Sequence, residues 1–136
     1  MKTNKLFLVG VLSAWIVGAG GDFSARAFEA TQTVSGGGVN VAVTYINPRA
    51  SDDARFEVAL NTHSVVLDSY DLKTLVSLRD GSGKTYTPTK VENKGGGHHR
   101  QVALTFPKIS EEAKRVEVII KDVAGVKERT FRWNRE

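Results

Sequence analysis

Apolar and polar residues alternate with a period of two through most of the chain after residue 38. In the segment 55–60, for example, Phe56, Val58 and Leu60 alternate with charged or small residues. Successive side chains of a strand point to opposite faces, so this run places one face on a core and the other in water. The same pattern predicts further strands over residues 39–45, 75–79, 85–87, 102–106, 116–120 and 130–134.

Short polar or glycine-containing segments separate these runs. Asn47-Pro48 ends the first run, and Asp80-Gly81-Ser82-Gly83 is a hairpin signal because glycine adopts the positive φ that tight turns need. Asp122-Val123-Ala124-Gly125 turns the chain in the same way before the last run. Helical periodicity is almost absent, and the one candidate is a single turn over Ser110–Lys114.

About seven short strands joined by connections of turn length predict an all-β fold, an antiparallel sandwich of immunoglobulin-like type. A small open barrel is the main alternative architecture. The apolar side of each alternating run should form one common core. The predicted core residues are Val41, Val43, Phe56, Val58, Leu60, Leu104, Phe106, Val118, Ile120, Phe131 and Trp133.

The N-terminal segment has the features of a secretory signal peptide over residues 1–27. Lys2 and Lys5 precede an apolar stretch over residues 6–19, and Ala25-Arg26-Ala27 fits the small-x-small pattern of a cleavage site. An uncleaved membrane anchor is the alternative, but the apolar run is shorter than the ~20 residues a spanning helix needs. We therefore expect a mature domain over residues 28–136 with no membrane span, located in the periplasm or elsewhere outside the cytoplasm.

Composition narrows the chemistry available to the mature domain. The chain contains no cysteine, which excludes disulfides, thiol nucleophiles and thiolate metal sites. The formal net charge is +4, and loss of residues 1–27 would lower it to about +2. Basic residues are scattered among acidic ones, and those near the C-terminus indicate the solvated face of a strand. We expect no nucleic-acid partner.

The three histidines lie in two short stretches. His63 follows the strand that contains Phe56, whereas His98 and His99 follow three glycines and precede the strand that contains Leu104. Imidazole is the commonest metal ligand in proteins. In an antiparallel sandwich the exit of one strand and the entry of its neighbour lie at one edge, so we expect the two histidine segments to meet.

A metal site built from these segments would use His63 together with His98 or His99, plus Asp68 or Asp71. Imidazole nitrogens and carboxylate oxygens suit Zn²⁺, and imidazole also suits Cu²⁺. Adjacent histidines on a strand point to opposite faces, so only one of the pair would normally join such a site. The spacing matches no specific metal motif.

Two other interpretations of these segments stay open. The histidines and the neighbouring Thr62 and Ser64 can hydrogen-bond backbone groups and brace the loops, and the two aspartates can form Asx-turns. The loops can also hold a different ligand. A catalytic role has less support, because Ser64 and His63 are neighbours on an extended chain and point apart.

Several stretches of the mature chain resemble a group of small exported bacterial proteins of unknown function. They are residues 56–64 (FEVALNTHS), Leu67-Asp68, Asp71-Leu72, residues 96–100 (GGHHR) and residues 128–133 (ERTFRW). The resemblance covers most of the mature chain and implies no established activity. In architecture alone the chain is also similar to periplasmic copper-binding sandwich proteins, but it has no methionine-rich segment and no histidine at the expected mature N-terminus.

The sequence thus predicts a non-enzymatic binding or accessory module of the cell envelope, whose partner is an envelope protein or a small ligand. The alternative from a different class is a periplasmic protein that binds a divalent metal through the His63 and His98/His99 loops. A hydrolase ranks third. The carboxylates of Asp68 and Asp71 could form an acid–base pair, but nothing in the sequence marks a deep cleft around them or a nucleophile with its base. No cofactor is expected apart from Zn or Cu.

Overall fold

The computed structural model describes residues 28–135, and this part of the chain folds into two antiparallel sheets packed face to face as a sandwich. The five-stranded sheet has the order β1-β2-β3-β7-β6, and the four-stranded sheet has the order β5-β4-β8-β9. The strands are β1 (Thr31–Gly36), β2 (Val39–Tyr45), β3 (Ala54–Thr62), β4 (Val76–Asp80), β5 (Thr85–Tyr86), β6 (Lys90–Gly95), β7 (His99–Phe106), β8 (Arg115–Val123) and β9 (Val126–Asn134). A single helical turn, α1 (Leu72–Leu75), precedes β4.

The core lies between the two sheets and contains every residue that the alternation predicts. All eleven predicted core side chains are at most 3% exposed. At one end of the core the ring of Phe56 stacks on Tyr45 at 4.4 Å between centroids, and Trp133 lies 5.5 Å from Phe56. Aromatic contacts of this kind add to the free energy gained from apolar burial, which holds the two sheets together. The predicted all-β sandwich is confirmed.

The strand count differs from the expectation of about seven, because β1 and β6 do not show the alternating pattern. Both strands lie at the edges of the five-stranded sheet, and most of their residues are exposed or half-buried. An edge strand with few core-facing positions carries little hydrophobic signal. β1 and β2 are joined through Gly37 and Gly38, both at positive φ.

The helical turn is also in a different place from the one predicted. Residues 110–114 do not form a helix, whereas Leu72–Leu75 does. The carboxylate of Asp71 accepts a hydrogen bond from the backbone N–H of Lys73 at 3.0 Å, and buried Leu72 anchors the turn on the core. N-terminal capping by an aspartate explains why this short segment becomes helical. Within residues 28–135 no helix is long and apolar enough to cross a membrane.

The predicted signal peptide, residues 1–27, and the last residue of the predicted domain lie outside the described residues.

Candidate functional site

The two histidine segments meet at one end of the sandwich, as the sequence predicts. Strands β3 and β7 are antiparallel neighbours, so the end of β3 lies beside the start of β7. The backbone N–H of Thr62 donates to the carbonyl oxygen of His98 at 3.0 Å. Further along, the carboxylate of Asp68 accepts a hydrogen bond from the backbone N–H of Gly97 at 3.1 Å. The two loops therefore contact each other at two points.

All three histidine side chains are exposed at this end. The Nδ1 atom of His99 lies 2.8 Å from the side-chain oxygen of Asn61, its direct neighbour across the strands. Among residues 28–135 the rings of His63 and His98 have no hydrogen-bond partner. Bracing of the loops therefore does not depend on these two imidazoles.

Thr62 supplies a large part of that bracing. The residue is 3% exposed, and its hydroxyl group donates to the carbonyl oxygen of Gly38 at 2.8 Å and accepts from the backbone N–H groups of Ser64 and Val65. One buried hydroxyl thereby ties the β1–β2 turn to the start of the loop that contains His63. The bracing interpretation holds for Thr62 rather than for the histidine beside it.

The two aspartates of the predicted metal set have separate local partners. Asp68 bonds Gly97, and Asp71 caps α1 as described above. A Cβ atom added at Gly96 would lie 3.1 Å from the Asp68 carboxylate, so glycine permits this close approach. No group of three or more histidine, aspartate or glutamate side chains within residues 28–135 is arranged to hold a metal ion. The metal site stays a prediction from the sequence.

Two buried arginines, Arg100 and Arg129, form hydrogen bonds at the same end of the molecule, and the sequence predicted neither as buried. Arg100 is 7% exposed. Its guanidinium group donates to the carbonyl oxygens of Leu67 at 2.9 Å and Tyr70 at 2.7 Å, and to the side-chain oxygen of Asn93 at 3.1 Å. It holds the loop between β3 and α1 against β7. Buried arginines bonded to carbonyl oxygens fix loop geometry because one planar group satisfies several acceptors.

The second buried arginine, Arg129, is 1% exposed and lies in β9. It donates to the carbonyl oxygens of Val123 at 2.9 Å and Gly36 at 2.7 Å, and burial lowers the pKa of its guanidinium. The expectation that the basic residues near the C-terminus are solvated is wrong at this position. The sequence contained a hint of this burial, because Arg129 lies an even number of positions from Phe131 and Trp133 along the strand and so lies on the same, core-facing side. Arg100 has the same relationship to Leu104 and Phe106.

The outer face of the five-stranded sheet carries three open hollows. The first, of about 480 Å³, lies beside the histidine segments and is lined by residues including Ser35, Asn40, Asn61 and His63. The other two, of about 210 Å³ and 510 Å³, lie across the middle and far end of the face and share Glu57 and Lys94.

Small side chains form the floor of this face. Ala42 pairs with Ala59 across β2 and β3, and Ala103 of β7 pairs with Glu57. Longer charged side chains rise around them, and Glu57 accepts a hydrogen bond from Lys94 at 2.9 Å. The result is a shallow polar surface that extends over four strands.

Comparison with known proteins gives one structural similarity. A crystal structure of a DUF4426 family protein from Pseudomonas aeruginosa PAO1 is 19% identical in sequence, with a TM-score of 0.50. The alignment covers 76% of this chain and 93% of that chain. No family model and no curated protein matches this chain. At this identity the likeness concerns the fold alone: the chain shares the β-sandwich fold of a DUF4426 family protein.

Proposed function

We propose that this protein is an exported, non-enzymatic binding or accessory module of the cell envelope, and that it holds its ligand on the outer face of the five-stranded sheet. The observation that carries the proposal is the placement of three hollows side by side on this one face. Export rests on the predicted signal peptide over residues 1–27.

The shape and chemistry of this face favour an extended polypeptide segment of an envelope protein as the ligand. The small residues Ala42, Ala59 and Ala103 let a chain lie close to the sheet. The surrounding charges include both signs, with Lys94 beside Glu57. A surface of mixed charge complements a polypeptide, which presents hydrogen-bond donors and acceptors along its whole length.

Site-specific photocrosslinking in the native host tests this proposal. A photoreactive benzoylphenylalanine replaces Ala59 or Ala103 on the face, or Glu111, an exposed loop residue, as the control. We expect one discrete cross-linked product from both face positions and none from position 111. Ala42→Trp, which fills the floor next to Ala59, should abolish the product. The same product from position 111, persistence in the Ala42→Trp background, or no product from the face would contradict the proposal.

A further inference from the structure

The outer face of the other sheet carries a cluster of three arginines around one glutamate. Glu117 in β8 pairs with Arg79 of β4 on one side and with Arg132 of β9 on the other. Arg115 precedes Glu117 by two residues on the same strand and therefore lies on the same face. Three neighbouring strands thus each contribute one guanidinium to a single position.

Glu117 lies beneath these guanidinium groups. Its side chain is 6% exposed, and both of its oxygens have partners. Oε2 accepts from Nε and Nη2 of Arg79 at 3.0 and 2.5 Å, and Oε1 accepts from Nε of Arg132 at 2.8 Å. The Nε atom of Arg115 is 3.7 Å from Oε1, an ion pair rather than a hydrogen bond. The hydrogen bond from Arg79, opposed by burial and helped by Arg132, holds the pKa of Glu117 below its usual range.

One carboxylate does not neutralise three guanidiniums, so the cluster carries two positive charges in excess. The side chain of Arg79 is 42% exposed, that of Arg115 57% and that of Arg132 65%. Each guanidinium group has N–H donors that do not bond Glu117. Like charges this close repel each other. An external anion above Glu117 would relieve that repulsion.

We propose that Arg79, Arg115 and Arg132 form a binding site for a phosphate group. A phosphate offers several acceptor oxygens, and guanidinium groups bind such oxygens through paired N–H donors. The Glu117 carboxylate positions the site: its hydrogen bonds hold Arg79 and Arg132 in place before the ligand arrives, which reduces the entropy lost on binding. The phosphate belongs to a lipid headgroup or to a soluble phosphorylated molecule.

Nuclear magnetic resonance titration of the mature protein with inorganic phosphate tests the site. We expect saturable shifts of the arginine Nε–Hε signals of Arg115 and Arg132. Arg115→Gln should weaken binding about three- to fivefold, as expected for the loss of one exposed charged contact. Arg55→Gln is the matched control. It removes the same charge from the opposite sheet, at a side chain 59% exposed whose ion pair with Asp52 is also long, 3.6 Å. We expect it to leave phosphate affinity unchanged.

Glu117→Gln provides a second, opposite test. It removes the negative charge that opposes an incoming anion, while the amide oxygen of glutamine can still accept a hydrogen bond from a guanidinium group and hold it in place. Phosphate should therefore bind more tightly than to the parent protein. A cluster that serves only as a network of ion pairs predicts no such gain. Equal weakening by Arg115→Gln and Arg55→Gln, or no saturable shift at the arginine signals, would overturn the proposal.

Vesicles distinguish the two sources of the phosphate. The protein is sedimented with phosphatidylcholine vesicles that contain or lack phosphatidylglycerol. Binding only to the anionic vesicles, reduced by Arg115→Gln and not by Arg55→Gln, assigns the site to a lipid headgroup. Saturable binding of inorganic phosphate without vesicle binding assigns it to a soluble molecule. Vesicle binding that both variants reduce equally contradicts the site.

Discussion

Arg129 donates a hydrogen bond from Nη2 to the carbonyl oxygen of Gly36 at 2.7 Å, and this contact joins the last strand of one sheet to the first strand of the other. The β1–β2 turn and the β8–β9 turn contact each other at the same place. A Cβ atom added at Gly37 would clash with the carbonyl oxygen of Ala124. Glycine at position 37 therefore allows the two sheets to approach each other closely at this edge, and the hydrogen bond from Arg129 stabilises that contact.

Replacement of Arg129 by alanine should destabilise the domain by about 2–4 kcal/mol, because two carbonyl oxygens lose their partner and a cavity forms. Chemical denaturation followed by tryptophan fluorescence measures the change. Lys127→Ala, an exposed position on the same strand, is the control and should change the free energy of unfolding by less than about 0.5 kcal/mol. Equal effects of the two variants would contradict the bracing role of Arg129.

Thr62→Val should cost about 1–3 kcal/mol of stability, because the valine has the same shape but leaves the partners of the hydroxyl unpaired. His63→Ala, one residue away, should have little effect because the imidazole is exposed. Thermal denaturation of both variants makes the comparison. Greater destabilisation by His63→Ala would show that the histidine, not the threonine, braces the loop.

The metal hypothesis makes a different prediction about the same histidine. If His63 and His98 or His99 bind Zn²⁺ or Cu²⁺, either ion should raise the melting temperature of the parent protein by an amount that grows with its concentration. His63→Ala should abolish that rise. The titration is made on protein purified without a histidine tag, and equal melting temperatures with and without metal would reject the hypothesis.

Acid should destabilise the β4–β5 hairpin through Asp80. Burial acts to raise the pKa of this carboxyl, but hydrogen bonds from Ser82, Tyr86 and the backbone of Lys84 outweigh it, and the pKa is lowered. A lowered pKa in the folded state contributes stability above the unfolded value of about 4 and loses it as the pH falls through the folded value.

Asp80→Asn should therefore reduce stability at neutral pH and flatten its dependence on pH below about 4. Denaturant midpoints measured across the acidic range give this dependence. Asp53→Asn, at an exposed position, is the control and should leave the acid dependence close to that of the parent. An unchanged acid dependence in Asp80→Asn would show that other carboxyl groups govern it.

Export predicts a mature N-terminus at Phe28. N-terminal sequencing of the protein from its native host, after separation of envelope and cytoplasmic fractions, tests this. We expect Phe28-Glu29-Ala30 in the extracytoplasmic fraction. A protein that starts at Met1 in the cytoplasm would contradict both the cleavage site and the envelope function.

The alternation of residues was sufficient to predict the fold class and part of the core, although buried residues such as Leu67, Leu72 and Leu78 were not among the predicted core residues. Phe56, Phe131 and Trp133 lie where period-two patterning places them, because a strand buried on one face needs an apolar residue at every second position. The meeting of the histidine segments was also predictable from antiparallel connectivity. The edge strands β1 and β6 were not, since residues that face solvent carry no such periodicity.

Only the tertiary structure decided which polar residues stabilise the end of the sandwich where the two histidine segments meet. An arginine at a core-facing position of a strand can be buried or can extend its guanidinium group to solvent. Arg100 and Arg129 are buried because they donate to carbonyl oxygens of Tyr70 and Gly36, which are distant from them in sequence. The arginine cluster around Glu117 likewise depends on the pairing of β4, β8 and β9. Sequence patterning determines which face a residue occupies, whereas its partners depend on strand order, which alternation does not encode.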